Sequence, residues 1–220
     1  MRDRRALAFA ALAVASALCC ALVVFRIHRT GDPFYRFLAW NLMLAWVPFG
    51  LALAAYDRAR RRVDALVGVL AVLWLLFFPN APYMLTDFIH LHESATAPLW
   101  YDALMLSAFA WTALVLGFAS LYLMQMVGRL VAGAAWAWAG VVGSLALASF
   151  GVYLGRFVRF NSWDALVRPG RVADVITNQL DNPFEHPRLV ATLIVLTGFL
   201  TVAYAVLYSF AGLRLELERD

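Results

Sequence analysis

The chain has 220 residues, of which 64% are hydrophobic and 15% charged, where an ordinary soluble domain carries roughly 25% charged residues. Its 18 positive side chains are all arginine, and the absence of lysine excludes cofactors held through a lysine Schiff base and nucleotide binding through a P-loop lysine. The formal net charge of +4 reads as loop arginines that set membrane orientation, not as a nucleic-acid-binding surface.

The apolar residues fall in blocks of about 20, long enough to cross a bilayer. No alternating apolar and polar segments suggest a β-barrel. The expectation is therefore an all-α, polytopic membrane helical bundle with about six transmembrane helices. Residues 1–220 are taken as one integral membrane domain with spans near 6–25, 37–56, 63–78, 101–126, 130–157 and 189–210. The first block follows Met1-Arg2-Asp3-Arg4-Arg5 as a signal peptide would, but no small-x-small cleavage site precedes Arg26, and it reads as a retained span. Cys19 and Cys20 are adjacent inside it, a spacing that suits packing or lipid contact and gives neither a disulfide framework nor a zinc site. Short second and fourth connections predict antiparallel hairpins.

Span three ends at Phe78 after 16 residues, about 24 Å of helix against a hydrocarbon core of about 30 Å. The break at Pro79-Asn80-Ala81-Pro82 is thus expected in or near the outer leaflet, with Pro82 restarting a helix at its first position. That helix would carry Asp87 and His90, three apart, on one face. Span five bears a ladder of small residues, Gly140, Ser144, Ala148, Gly151 and Gly155. Such a ladder predicts close helix packing at the centre of the bundle, with homodimerisation as the alternative. In the last long loop, Val172, Val175, Ile176 and Leu180 fall on one helical face and Asp174, Thr177, Asn178 and Asp181 on the other. This predicts a short amphipathic surface helix, stopped by Asn182-Pro183.

Ten arginines lie on the side of the termini and eight on the other, which places both termini in the cytoplasm. The polar clusters then gather at the extracytoplasmic interface. Asp87, Asp102, Arg156 and Arg159 are ionisable groups near membrane depth, where charges are expensive and tend to be paired and functional. One reading is a structural ion-pair network formed among these four. The other is a site, in which Asp87 with His90 or Asp102 does acid–base work while Asn80, Tyr83, Arg156, Arg159, Asn161 and Asp164 hold an anionic substrate. Asp87 and His90 are also the pair from which a metal site would start, with Asp102 or another histidine as third ligand. No histidine falls within a confidently apolar span, which argues against bis-histidine haem, and no Gly-x-Ser-x-Gly marks a hydrolase.

Four stretches occur together: Asn41-Leu-Met-Leu-Ala-Trp46-Val-Pro48, Phe78-Pro-Asn-Ala-Pro-Tyr-Met-Leu-Thr-Asp87, Trp100-Tyr101-Asp102 and Gly155-Arg156-Phe-Val-Arg159-Phe-Asn161-Ser-Trp163-Asp164. On these the chain resembles the bacterial multi-pass membrane proteins grouped as domain of unknown function 1361. The resemblance implies an inner-membrane location and brings no activity, cofactor or catalytic residue. Three functions stay open: binding or modifying a lipid or lipid-linked substrate, transport, and a membrane assembly role with a partner protein. A broken helix is one device of transporters, although they place their sites near the midplane.

Overall fold

The computed structural model describes residues 2–91, 96–160 and 187–217, with isolated positions between 161 and 186. Among these the chain is helical, without a strand. Six helical stretches are long and apolar enough to cross a membrane: Arg5–Thr30, Phe34–Ala59, Ala65–His90, Leu99–Ala132, Ala134–Val158 and Pro187–Phe210. Large apolar side chains such as Val24, Trp40, Trp111 and Ile194 are exposed on the outside of this bundle, as a lipid-facing surface requires.

Helix α1 (Arg2–Thr30) ends at Gly31, whose φ of 72° turns the chain. The Asp32 carboxylate accepts a bond from the Phe34 amide at 2.9 Å and so shapes the turn. A 3₁₀ turn (Phe34–Arg36) then leads into α2 (Phe37–Ala59). The hairpin to α3 (Ala65–Phe77) is closed by an ion pair between Arg58 and Asp64. Hydrogen bonding to that guanidinium holds the Asp64 carboxyl below the usual carboxylate range. After α3 come a single α-turn, α4 (Asn80–Tyr83), and a 3₁₀ helix (Met84–His90). Helix α5 runs from Leu99 to Ala132, and α6 (Ala134–Tyr153) continues into a π-helix (Leu154–Val158) that stops at Arg159 with φ 65°. Helix α7 (Pro187–Leu217) is the last.

Several sequence expectations shift. The connection expected between residues 126 and 130 lies further on, at Gly133, where φ is 87°. Gly128 lies inside α5 and packs against Ala137 of α6. Pro82 does not begin the restarted helix. Pro79 precedes it, Asn80 is its first residue and Pro82 its third. The restarted segment is mostly 3₁₀, so span three reaches His90 and not Phe78. The centre of the bundle is α5, with 67% of its apolar window buried against 44% for the stretch containing α6. Helix α5 touches α1, α2, α3's continuation and α6, and its buried face includes Phe109, Leu116 and Leu121.

The small residues of α6 divide into two groups. A Cβ at Gly151 would come within 2.6 Å of Pro79, and one at Gly155 within 3.1 Å of the Tyr83 ring. On the opposite flank, a Cβ at Gly117 of α5 would lie 2.8 Å from that of Ala81. The Pro-Asn-Ala-Pro segment is therefore gripped between two glycine-lined helices, the close approach that small residues permit. Gly140 meets nothing within 4 Å, whereas Ala148 of the same ladder is fully buried in the core. The amphipathic helix expected in the last long loop lies outside the described residues.

Candidate functional site

Pro79 cannot donate a backbone hydrogen bond, and α3 gives way there to the single turn α4. The side-chain Nδ2 of Asn80 donates to the Phe77 carbonyl at 2.8 Å, satisfying an acceptor near the break. Three residues per turn in the following 3₁₀ helix align Met84, Asp87 and His90 in one row. Met84 and Asp87 face inward and are buried, while Phe88 and Ile89 are exposed.

Arg156 meets that row from the π-helix. Its Nη2 pairs with Asp87, its Nε donates to Thr86 Oγ1 at 2.8 Å, and its Nη1 lies 3.1 Å from His90 Nε2. Arginine has no acceptor, so His90 accepts at Nε2 and carries its proton on Nδ1. The guanidinium carbon stands 4.4 Å over the Tyr83 ring, a cation–π arrangement. Thr86 donates in turn to the Tyr83 carbonyl at 2.6 Å. Asn41 of α2 donates to the other oxygen of Asp87 at 3.3 Å. The rings of Phe34 and Phe37 meet His90 edge to face at 6.0 and 5.3 Å.

A second ion pair stands beside the first. Arg26 of α1 grips Asp102 of α5 with two bonds, 2.7 Å from Nε and 3.1 Å from Nη2, and each residue is 1% exposed. Nη2 also reaches Thr96 at 3.3 Å and Nη1 reaches Asp32 at 3.4 Å. The guanidinium lies 4.6 Å over Tyr35. The Tyr35 hydroxyl donates to the His90 carbonyl at 2.6 Å, which ties the two pairs together.

The residues expected from sequence therefore separate. Asp87, His90, Tyr83 and Arg156 come together. Asp102 belongs to the Arg26 pair and does not share Asp87's arginine. The pairing expected among Asp87, Asp102, Arg156 and Arg159 is corrected accordingly. Arg159 is exposed where the π-helix ends, and Asn80 serves the Phe77 carbonyl. Asn161 and Asp164 lie outside the described residues, as do His92, Glu93 and His186. Sequence reasoning missed Arg26, Tyr35 and Thr86. Arg26 had one usable signal, since it follows the first apolar block on the same side as Asp102.

As for a metal, no group of three or more His, Cys, Asp or Glu side chains could hold one among the described residues. Arg156 stands between the two candidate ligands, and its cation occupies the charge complement that Asp87 and His90 would offer a metal. What the cluster presents instead is a guanidinium with three of its five N–H hydrogens used among the described residues. Its side chain is 11% exposed.

No curated protein and no solved structure matches the chain. One family model does, over residues 40–204, a stretch holding Asn41, the broken third span, Asp102 and the π-helix. The chain belongs to that family, described as Protein of unknown function (DUF1361).

Proposed function

We propose that this is a multi-pass protein of the bacterial inner membrane, with both termini cytoplasmic, that binds the anionic head of a lipid or lipid-linked molecule at the extracytoplasmic interface. The observation that carries the reading is the Arg156 guanidinium. It is fixed on three sides by Thr86, His90 and Asp87, stacked on Tyr83, and keeps two N–H hydrogens without a partner among the described residues. A pre-positioned guanidinium loses little entropy on forming a further charge-assisted bond to a phosphate or carboxylate. Because Asp87 neutralises Arg156, the exposed Arg159, three residues on, supplies the net positive charge that attracts an anion. Binding is favoured over acid–base chemistry, since both Asp87 oxygens and His90 Nε2 already accept hydrogen bonds.

The test is native mass spectrometry of the detergent-solubilised chain, titrated with phosphatidylglycerol and with zwitterionic phosphatidylcholine. Wild type should retain the anionic lipid in preference, and Arg159→Gln should lower that preference about three- to tenfold without changing thermal stability. Equal retention of both lipids by wild type would sink the proposal.

A second reading is favoured by a specific observation, the partnering of Asp87 and Arg156 within the chain. Here the cluster is a structural lock between the broken third span and α6. It requires Asp87→Asn to lower abundance and any cellular phenotype in step, whereas a ligand site loses the phenotype while the protein persists.

A further inference from the structure

The π-helix that follows α6 ends in a reversal. Arg159 takes φ 65°, and the next amide, that of Phe160, donates to the Leu154 carbonyl at 3.2 Å. Glycine adopts such a φ most readily, so an arginine is held there against backbone preference. The reversal brings Phe160 back beside the cluster. A Cβ on Gly155 would lie 3.5 Å from the Phe160 carbonyl oxygen and 3.1 Å from the Tyr83 ring. That ring is the one on which the Arg156 guanidinium rests, so Phe160 and the Tyr83–Arg156 stack both flank Gly155.

Phe160 in turn carries a third arginine. The guanidinium carbon of Arg171, an exposed residue of the last long loop, stands 5.9 Å over its ring. A cation–π contact places a guanidinium without using up its N–H donors. Asp87 neutralises Arg156. Neither Arg159 nor Arg171 has a salt bridge among the described residues, and Asp174, exposed three residues after Arg171, pairs with neither. Three arginines against the one carboxylate of Asp87 leave the cluster with two positive charges in excess.

Charge decides which kind of phosphate suits this cluster. A phosphodiester head, such as that of phosphatidylglycerol, carries one negative charge. A terminal phosphate carries about −1.5 to −2 at neutral pH and offers three acceptor oxygens. Guanidinium forks pair with such oxygens two at a time. A diester would leave half of the excess charge unmet, whereas a terminal phosphate meets it and has oxygens enough for more than one arginine. Phe157, between Arg156 and Arg159 in the chain, is 48% exposed and gives an attached apolar chain a surface to lie on.

We infer, resting on the anion-binding reading above, that the site selects a terminal phosphate over a phosphodiester, and that Arg171 is the residue that makes the selection. A lipid head and free inorganic phosphate both present that group.

The experiment is native mass spectrometry of the full chain at about pH 8, above the second ionisation of a phosphomonoester near pH 6. Phosphatidate, phosphatidylglycerol and phosphatidylcholine with identical acyl chains are compared. Wild type should retain phosphatidate about three- to tenfold more than phosphatidylglycerol. Arg171→Gln should bring that ratio close to one. Arg61→Gln, at an exposed arginine of the α2–α3 hairpin, should leave it unchanged. Equal retention of phosphatidate and phosphatidylglycerol by wild type, both above phosphatidylcholine, overturns this inference and leaves the anion-binding reading standing. Equal retention of all three overturns both. A wild-type ratio in Arg171→Gln, or an equal drop in Arg61→Gln, also overturns the inference, the latter because net charge alone would then set the ratio. Should Arg171→Gln fail to fold, the wild-type comparison decides alone. Excess inorganic phosphate then identifies the source: phosphatidate that stays bound marks a lipid head as the ligand, and phosphatidate that is released marks free phosphate, each upholding the terminal phosphate as the group recognised.

Discussion

Arg26 and Asp102 are each 1% exposed, and removing one partner would strand the other's charge where no water can reach it. Breaking such a pair costs about 3–5 kcal/mol, whereas replacing both partners with apolar residues is often neutral. Arg26→Met alone is therefore expected to lower the thermal unfolding temperature of the detergent-solubilised protein sharply. Arg26→Met combined with Asp102→Leu should recover most of the loss. A double variant as unstable as the single one would show that Thr96, Asp32 and Tyr35 contribute more than the pair itself. Asp87 was legible as a candidate because it follows an interruption in an apolar helix, where a charge stands out, and Arg156 because it falls inside the expected span 130–157 on the same side of the membrane. Arg26 was not, since an arginine at a span's end reads equally well as an interfacial anchor. Its partner is 76 residues away, and no local spacing encodes that distance.

At the scale of elements, the fit of α6 against the broken third span explains why two of its glycines are needed and others are not. Proline's ring is rigid and cannot swing away, so a Cβ at Gly151, 2.6 Å from Pro79 Cγ, must push the helices apart. Gly151→Ala is expected to cost about 1–3 kcal/mol and to loosen Arg156 from Asp87. Gly143→Ala, at a position with open space, should instead stabilise by up to about 1 kcal/mol through helix propensity. Thermal unfolding of the two variants checks both signs, and equal effects would refute the gripping role of Gly151. The ladder was visible in the sequence, and so was the break. What could not be read was which glycines face a partner, because spacing gives a helical face but not its neighbour. The 3₁₀ and π geometries were equally hidden. The i, i+3 relation of Asp87 and His90 survives in either helix type, and that part of the site came through intact.

For the whole molecule, six apolar blocks were countable from hydropathy because the bilayer leaves the backbone only one way to bond itself. The end of α5 was misjudged by several residues, since a helical Gly128 and a turning Gly133 look alike until φ is known. The proposed orientation has its own check. In a Cys19→Ala, Cys20→Ala background, Ala97→Cys should react with a membrane-impermeant thiol reagent added outside spheroplasts, and Arg61→Cys only after lysis. The reverse pattern would move the Asp87–Arg156 cluster to the cytoplasmic face and discard the proposed lipid leaflet with it.

Both ion pairs join residues far apart in the chain, 76 positions for Arg26 and Asp102 and 69 for Asp87 and Arg156. Translation at about 5–20 residues per second separates the arrival of each charge from that of its counter-charge by roughly 3–15 s. Arg26 therefore reaches the membrane with Asp32, six residues on, as its nearby counter-charge, and Asp87 follows well before Arg156 exists. In that interval Asp87 lacks the arginine that holds it in the finished fold. Completion of the bundle brings each charge its distant partner, Asp102 on α5 for Arg26 and Arg156 beyond α6 for Asp87.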